Sequence, residues 1–349
     1  MQQSEAKEAW QALAPECEDE PIDQAMRLKR CRHLRVVQVQ GAITEIDAVW
    51  RVCTFAEDDA QRLGALWPLL DGTHTVAELM PSNDWDSGQL REMLQALYEH
   101  GLVWNASGTP VPALAFHDHA ISIGKMWVAL LTEQTGLSQA LASKQTTQRL
   151  LLGWLLDRYY YVAGTASHVS RAIAQAPNER LELMLSEHLS EEYWHATWLA
   201  SGLRAAGLTD SEIKDSLPLP ATLGALNFLR WTASTNIPGY FLTLGIRESR
   251  ATDSPEQERA LWQHWESLGL VPQEALAPYR DHKLVDMEYD HGSISAEVFV
   301  GLPPLRQSQQ HALLGVLTNF ARVTAEASAA VLRYYQDERN PLVCLPAWD

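Results

Sequence analysis

Residues 188–198 have the sequence HLSEEYWHATW, and this stretch decides how the rest of the chain is interpreted. His188, Glu192 and His195 follow one another at spacings of four and three residues. Because an α-helix turns by about 100° per residue, their side chains fall within an arc of about 60° on one face. The large apolar residues Tyr193 and Trp194 lie between them in sequence. Such a polar stripe is either a solvent-facing edge or a binding site.

The composition is that of an ordinary globular protein without a basic surface. The chain has 349 residues, of which 46% are hydrophobic and 20% charged, and its formal charge is −17. Nucleic acids and anionic membranes are usually bound by basic surfaces, so neither is expected as a partner. The cysteines are far apart and show no CxxC spacing, which argues against a cysteine zinc site or a disulfide framework. With no signal peptide and no bilayer-spanning apolar run, the sequence predicts a soluble, cytoplasmic protein.

The pattern of the chain changes twice. Residues 1–27 are interpreted as a short helix and an acidic connector. Residues 28–106 combine strands, predicted near 34–40, 48–55 and 102–105, with three helical segments, which is a small α+β winged-helix layout. In the second of these helices, Thr75 and Glu78 form a capping pair. After the linker 106–112, residues 113–340 are predicted to be all-helical, with helices near 119–134, 138–157, 158–176, 178–206, 221–234, 238–250, 255–267, 272–290 and 305–337.

Residues 30–105 resemble the PqqD-like winged-helix family. The resemblance rests on LWPLLDGTHTVAELM at 66–80 and LREMLQALYEHGLVW at 90–104. It implies a module that binds a peptide partner by adding the peptide as a strand at a sheet edge, or one that serves only a structural or dimerising role. The acidic balance of the chain favours the second role.

Residues 115–337 resemble the heme-oxygenase-like fold of PqqC-type and TenA-type proteins, most closely at WLLDRYYYVAGTASHVSRAIAQAPNERLELMLSEHLSEEYWHATWLASGLRAAGL, residues 154–208. The resemblance implies a mostly α chain, with a helical bundle that follows the small N-terminal domain. One branch of this fold contains diiron oxidases, whose three core helices carry three histidines and three carboxylates. Its pattern is Glu and His on the first helix, a lone Glu on the second, and His-x3-Asp/Glu-x2-His on the third.

The metal ligands that the resemblance implies come from three helices. Glu192 and His195 match the first helix, Glu248 extends the apolar face of the second, and Glu288 and His291 match the end of the third-helix motif. Leu284 stands where the family has its remaining histidine. His188, on the face of Glu192, restores the count, so the predicted set is His188, Glu192, His195, Glu248, Glu288 and His291. A competing register of the third helix uses His282, Asp286 and Asp290.

The function implied by the resemblance is an O2-dependent non-heme diiron oxidase or oxygenase with two Fe(II) ions, or manganese in their place, and O2 as co-substrate. Its substrate would be a small amino-acid-derived metabolite of natural-product biosynthesis, changed by N-oxygenation or by oxidative C–C or C–N cleavage. Arg158 and Tyr159 are weak candidates for substrate binding. Arg247 is expected to point away from the metals because it adjoins Glu248, and His168 is interpreted as a surface or ordinary core histidine.

Two rival functions and one assembly state stay open at this point. A cofactorless PqqC-like oxidase would use the same helical pocket without metal. A non-enzymatic scaffold would use the winged helix to bind a peptide. The family also implies a homodimer formed through the helical domain.

Overall fold

The computed structural model describes residues 22–31, 34–48, 51–80, 86–100, 102–108, 110–248, 255–288 and 292–346. The helix predicted within residues 1–27 lies almost wholly outside this part of the chain. The described residues form two compact units: the first contains those up to Phe116 together with Pro303–Thr318, and the second contains His117–Leu302 and those from Asn319 onward. The boundaries predicted at 106–113 and 340 stay predictions, but the segment at 303–318 groups with the first unit.

The first unit contains two three-stranded antiparallel sheets. In one sheet β1 lies between β5 and β6, and in the other β3 lies between β2 and β4. Gln40 and Gly41 both have positive φ, 50° and 88°, and form the tight turn that joins β2 to β3. The strand bounds are β1 Arg27–Arg30, β2 Arg35–Val39, β3 Ala42–Ala48, β4 Arg51–Thr54, β5 Asp71–Thr75 and β6 Val103–Asn105.

Three of these strands correspond to predicted ones, namely β2, β4 and β6, whereas β1, β3 and β5 were not predicted. Strand β3 has no simple alternation of apolar and polar residues, because Ala42 and Ile43 are both buried at its start. The division of the strands into two sheets belongs to the tertiary structure. The winged-helix assignment stays a prediction.

The helices of the first unit lie where the sequence predicts them: α1 Glu57–Leu66, α2 Val76–Leu79 and α3 Ser87–Glu99. The predicted capping box is confirmed, since Thr75 and Glu78 each bond the other's backbone N–H. Leu63, Leu70 and Leu94 are completely buried in the apolar core of this unit. This core forms because each helix carries a leucine-rich face at helical period.

The rest of the described chain is almost entirely helical. None of the described helices combines the length and the apolar character needed to span a bilayer. The helices are α4 Ala113–Gln134, α5 Leu137–Ala142, α6 Gln148–Ala163, α7 Thr165–Ile173, α8 Glu179–Ala205, α9 Asp210–Lys214, α10 Pro220–Thr235, α11 Ile237–Glu248, α12 Pro255–Leu268, α13 Gln273–Glu288, α14 Gly292–Val300 and α15 Gln307–Gln336.

Several predicted helix boundaries are wrong. The segment predicted as one helix at 138–157 is two, because Thr147 caps a new helix by accepting a bond from the Leu150 N–H. The boundary predicted at 158 lies at Gly164, where a Cβ would meet the Leu226 side chain at 2.5 Å. The short helices α9 and α14 were not predicted.

Close packing of α8 against α13 brings the candidate site residues together. The two helices are in extensive contact, and α8 also packs against α6 and α7. A Cβ at Gly202 of α8 would lie 2.6 Å from the Ala275 carbonyl oxygen of α13, so glycine is required for this approach. Helix α11 packs against α10 and α14. The polar face of α8 therefore lies within reach of α13 and of the C-terminal end of α11.

Candidate metal centre

The polar stripe of α8 faces the interior of the second unit, here named the helical unit, which contains His117–Leu302 and the described residues from Asn319 onward. His188, Glu192 and His195 are only 1%, 6% and 5% exposed, whereas the neighbouring Glu187 and Glu191 are exposed. Buried carboxylates and imidazoles have to be paired, neutral or coordinated. The stripe is therefore an interior site and not a solvent-facing edge.

The first cluster of candidate ligands joins α8 to α13. One ligand atom from each of Glu192, His195 and His282 can be chosen so that all lie within 4.8 Å of one another. His195 Nδ1 lies 3.2 Å from Glu192 Oε1. The rings of His195 and His282 are 4.4 Å apart, centroid to centroid, with their planes at 73°. These residues form a compact set with two imidazoles and one carboxylate.

The second cluster joins α8 to the end of α11. Ligand atoms of His188, Glu192 and Glu248 also lie within 4.8 Å of one another. Glu192 is therefore common to both clusters. Mixed imidazole and carboxylate donors suit iron or manganese better than thiophilic metals. The residues present thus fit the metal that the sequence implies.

The remaining predicted ligands all come from α13 and the segment after it. Asp286 and Glu288 lie in the described helix, but the positions of their side chains are not described. Asp290 and His291 lie outside the described residues. Both registers therefore stay predictions, and His282 is the residue of α13 that the described geometry brings to the centre.

Arg247 lies beside the candidate ligands, so the expectation that it points away from them is wrong. Its Nη1 donates a hydrogen bond to Glu248 Oε1 across 3.2 Å, and the two side chains are 8% and 11% exposed. Burial lowers the pKa of Arg247, but Tyr161, Tyr240 and Glu248, which are all negative at the high pH where a guanidinium titrates, more than offset it, and the net shift of the pKa is upward. Arg247 is therefore a permanent buried cation.

His168 and Tyr240 form a buried pair next to Arg247. His168 Nδ1 lies 2.9 Å from the Tyr240 hydroxyl, and neither side chain is exposed. Burial, together with the positive charge of Arg247, lowers the pKa of His168 well below its ordinary value, and burial raises the pKa of Tyr240. The imidazole is therefore neutral, and its Nδ1 shares one hydrogen bond with the Tyr240 hydroxyl.

The two residues predicted to bind substrate have other described contacts. The Arg158 guanidinium lies over the rings of Trp154 and Tyr161, 5.8 and 5.7 Å from their centroids. Tyr159 packs against the leucine-rich core of the helical unit, with its ring 5.5 Å from that of Tyr160. Their role in substrate binding stays a prediction.

Arg247, Tyr240 and His168 were not predicted as site residues, although the sequence contains a signal for them. Tyr240 and Arg247 are seven residues apart on α11, as are Tyr161 and His168 across α6 and α7. Residues seven apart on a continuous helix differ by only about 20° in direction. That spacing was sufficient to place Tyr240 and Arg247 on one face of α11, but not to show that this face lies inward.

Comparison with known proteins supports an iron site in the helical unit. Residues 152–322 match a heme-oxygenase-like family model described as an iron-containing redox enzyme. No curated protein matches the chain.

The solved structures that are similar to this chain include two with related folds. One is a domain of unknown function with a heme oxygenase-like fold from Shewanella denitrificans OS217, at 17% identity and a TM-score of 0.48, covering 60% of this chain and 90% of that one. The other is a TenA homolog from Pseudomonas syringae pv. tomato str. DC3000, at 13% identity and a TM-score of 0.48, covering 66% of this chain and 96% of that one. The family match confirms the predicted heme-oxygenase-like fold, and it identifies residues 152–322 as similar to iron-containing redox enzymes, which supports a general oxidoreductase role.

Proposed function

We propose that the helical unit is an O2-dependent non-heme oxidase or oxygenase that holds two ferrous ions and acts on a small amino-acid-derived metabolite. The observation that carries this proposal is that one buried carboxylate, Glu192, belongs to two ligand clusters. A carboxylate between two sets of nitrogen and oxygen donors is what a two-metal site needs. The family match of residues 152–322 supports iron as the metal.

The position of His282 favours one of the two registers of α13. Asp286 follows His282 by four residues and so lies about 40° around the helix, whereas Glu288 lies about 120° away. His282 and Asp286 also have the spacing of the first two positions of the family's third-helix motif. The set that we propose is therefore His188, Glu192, His195, Glu248, His282 and Asp286, which retains three histidines and three carboxylates.

The residues of the chain have separate tasks in this proposal. Ferrous iron, when bound, would supply the electrons that reduce O2 to an oxidant. Burial of His188, Glu192 and His195 keeps bulk water away from the reacting centre. Arg247 orients the Glu248 carboxylate through its hydrogen bond. Deprotonated carboxylates and neutral imidazoles are the forms that bind metal.

Iron stoichiometry of the full-length chain tests the proposal, after anaerobic reconstitution with ferrous iron. We expect about two ions per chain in the wild type and close to none in Glu192→Gln, because both clusters share that carboxylate. Glu191→Gln is the matched control, since its side chain is exposed one residue away, and it should bind iron like the wild type. A wild-type chain that binds no iron would overturn the proposal and favour a cofactorless oxidase. Equal iron content in both variants would overturn the role of Glu192.

A further inference from the structure

The guanidinium of Arg247 has more hydrogen-bond donors than the described residues use. Nη1 donates to Glu248. Nε and Nη2 are buried, and no described residue meets them with good hydrogen-bond geometry, although the Tyr240 hydroxyl is close enough to interact with the guanidinium. Buried donors are nearly always satisfied, and donors of a charged group are especially costly to leave unmade. An acceptor is therefore expected at this edge of the guanidinium.

The two unused donors are adjacent, and their geometry selects the kind of acceptor. Nε–H and the neighbouring Nη2–H point the same way from the planar guanidinium. Together they match the two oxygens of a carboxylate in a bidentate pair. Two separate waters can also accept from these donors, but a carboxylate satisfies both with one group and carries the opposite charge.

The ion pair with Glu248 uses only Nη1 of Arg247, and three other groups near the guanidinium are neutral. Burial raises the pKa of both Tyr161 and Tyr240, so these phenols are neutral near pH 7. His168 is neutral as well, because burial lowers its pKa. Glu248 and Glu192 are the carboxylates that influence Arg247, and both belong to the candidate metal clusters.

Arg230 shows what a purely structural arginine looks like in the same unit. Its Nε donates to Ser167 Oγ and its Nη1 to Asn227 Oδ1, both across 2.7 Å. Arg230, like Arg247, lies close enough to His168 to lower the pKa of that imidazole. Arg247 differs because its Nε and Nη2 are buried beside candidate metal ligands and have no such well-aligned acceptor among the described residues.

We propose that the Nε–Nη2 edge of Arg247 binds the carboxylate group of the substrate next to the candidate metal centre. The substrate is then a small carboxylic acid, a class that includes amino acids and compounds derived from them with the carboxylate retained. That the bound anion is the substrate rests on the proposed function, whereas the existence of an anion site depends only on Arg247 and the groups around it. Two parallel bonds to the carboxylate also fix its orientation, so Arg247 would set which carbon or nitrogen of the substrate faces the metals.

Fluorine NMR titration with trifluoroacetate tests the site, because this probe is a carboxylate that stays ionised at every accessible pH. Trifluoroacetamide is its neutral counterpart of similar shape. The full-length chain is titrated in a zinc-loaded form, which is diamagnetic, and in a metal-free form. We expect wild-type protein to bind trifluoroacetate at least about 30-fold more tightly than trifluoroacetamide, and Arg247→Met to lose at least about 30-fold in trifluoroacetate affinity. Unlabelled amino acids and other monocarboxylates should displace the probe.

Two further variants distinguish the contribution of the two parallel donors of Arg247 from that of its positive charge. Arg247→Lys keeps a positive charge but lacks parallel donors, so its affinity for trifluoroacetate should lie between those of the wild type and Arg247→Met. Arg230→Met should bind the probe like the wild type. Circular dichroism confirms that each variant is folded.

Three results would overturn the anion site. These are equal binding of the two probes by the wild type, an unchanged affinity in folded Arg247→Met, or a loss of affinity in Arg158→Met with Arg247→Met unaffected. The probe comparison in the wild type requires no variant, so the test stands even if Arg247→Met fails to fold. If the wild type binds no iron but still binds trifluoroacetate in a way that depends on Arg247, the proposed function is overturned and the anion site stands.

Discussion

Removal of the Glu248 side chain should destabilise the metal-free protein strongly, because it leaves Arg247 as an unpaired buried cation. The two side chains are 8% and 11% exposed, and the distance between Arg247 Nη1 and Glu248 Oε1 is 3.2 Å. Breaking a buried pair by removing one partner costs about 3–5 kcal/mol. In a unit of this size, that corresponds to a fall of about 6–20 °C in the midpoint of thermal unfolding. The assay is far-UV circular dichroism of Glu248→Ala in the presence of a chelator.

A double variant distinguishes the buried charge from the lost side chain. Arg247→Met with Glu248→Ala removes both charges, so most of the destabilisation seen in Glu248→Ala should be recovered. The control is Asp210→Ala, which breaks the ion pair between Arg204 and Asp210, whose side chains are 44% and 61% exposed, and should leave the midpoint nearly unchanged. If Glu248→Ala lowers the midpoint no more than Asp210→Ala does, the pair is not a buried ionic interaction and our account of Arg247 fails.

Three further predictions concern the metal ligands and one buried imidazole. His188→Ala should keep the fold and lose about one of two iron ions, because His188 belongs to one cluster only; unchanged iron content would exclude it as a ligand. Asp286→Ala should lower iron content more than Glu288→Ala, and the reverse order would restore the register of Glu288 and His291. His168 has a lowered pKa in the folded state, so the unfolded chain takes up its proton first as the pH falls below about 6.5. The free energy of unfolding should therefore fall on acidification, by up to about 1.4 kcal/mol per pH unit from this group. In urea unfolding, His168→Phe should lose less of this free energy between pH 7 and pH 5 than the wild type does.

Local patterns in the sequence determined which residues share a helical face. The spacing of His188, Glu192 and His195 was sufficient to place them on one stripe, since helical period is a property of the backbone alone. The capping box of Thr75 and Glu78 was likewise readable, because all of its partners lie within one turn. Glu248 was recognised because it extends the apolar face of its helix.

The tertiary structure decided which way each helix is rotated and which helices meet. Helix α11 is apolar on several sides, with Tyr240, Phe241, Leu242 and Leu244 all completely buried, so its pattern could not show that Arg247 faces the ligands. Helix α13 contains Pro278 in its interior, and it offered two acceptable registers. The contact of α8 with α13 at Gly202 brings His282 to Glu192, although Gly202 and Ala275 are 73 positions apart in the sequence and Glu192 and His282 are 90 apart. Side-chain periodicity is local, whereas the pairing of helix faces is fixed by packing across the whole core. For this reason the sequence by itself determined the candidate ligands of α8, and only the tertiary structure decided that Glu192 is shared by two clusters and that a buried guanidinium lies beside them.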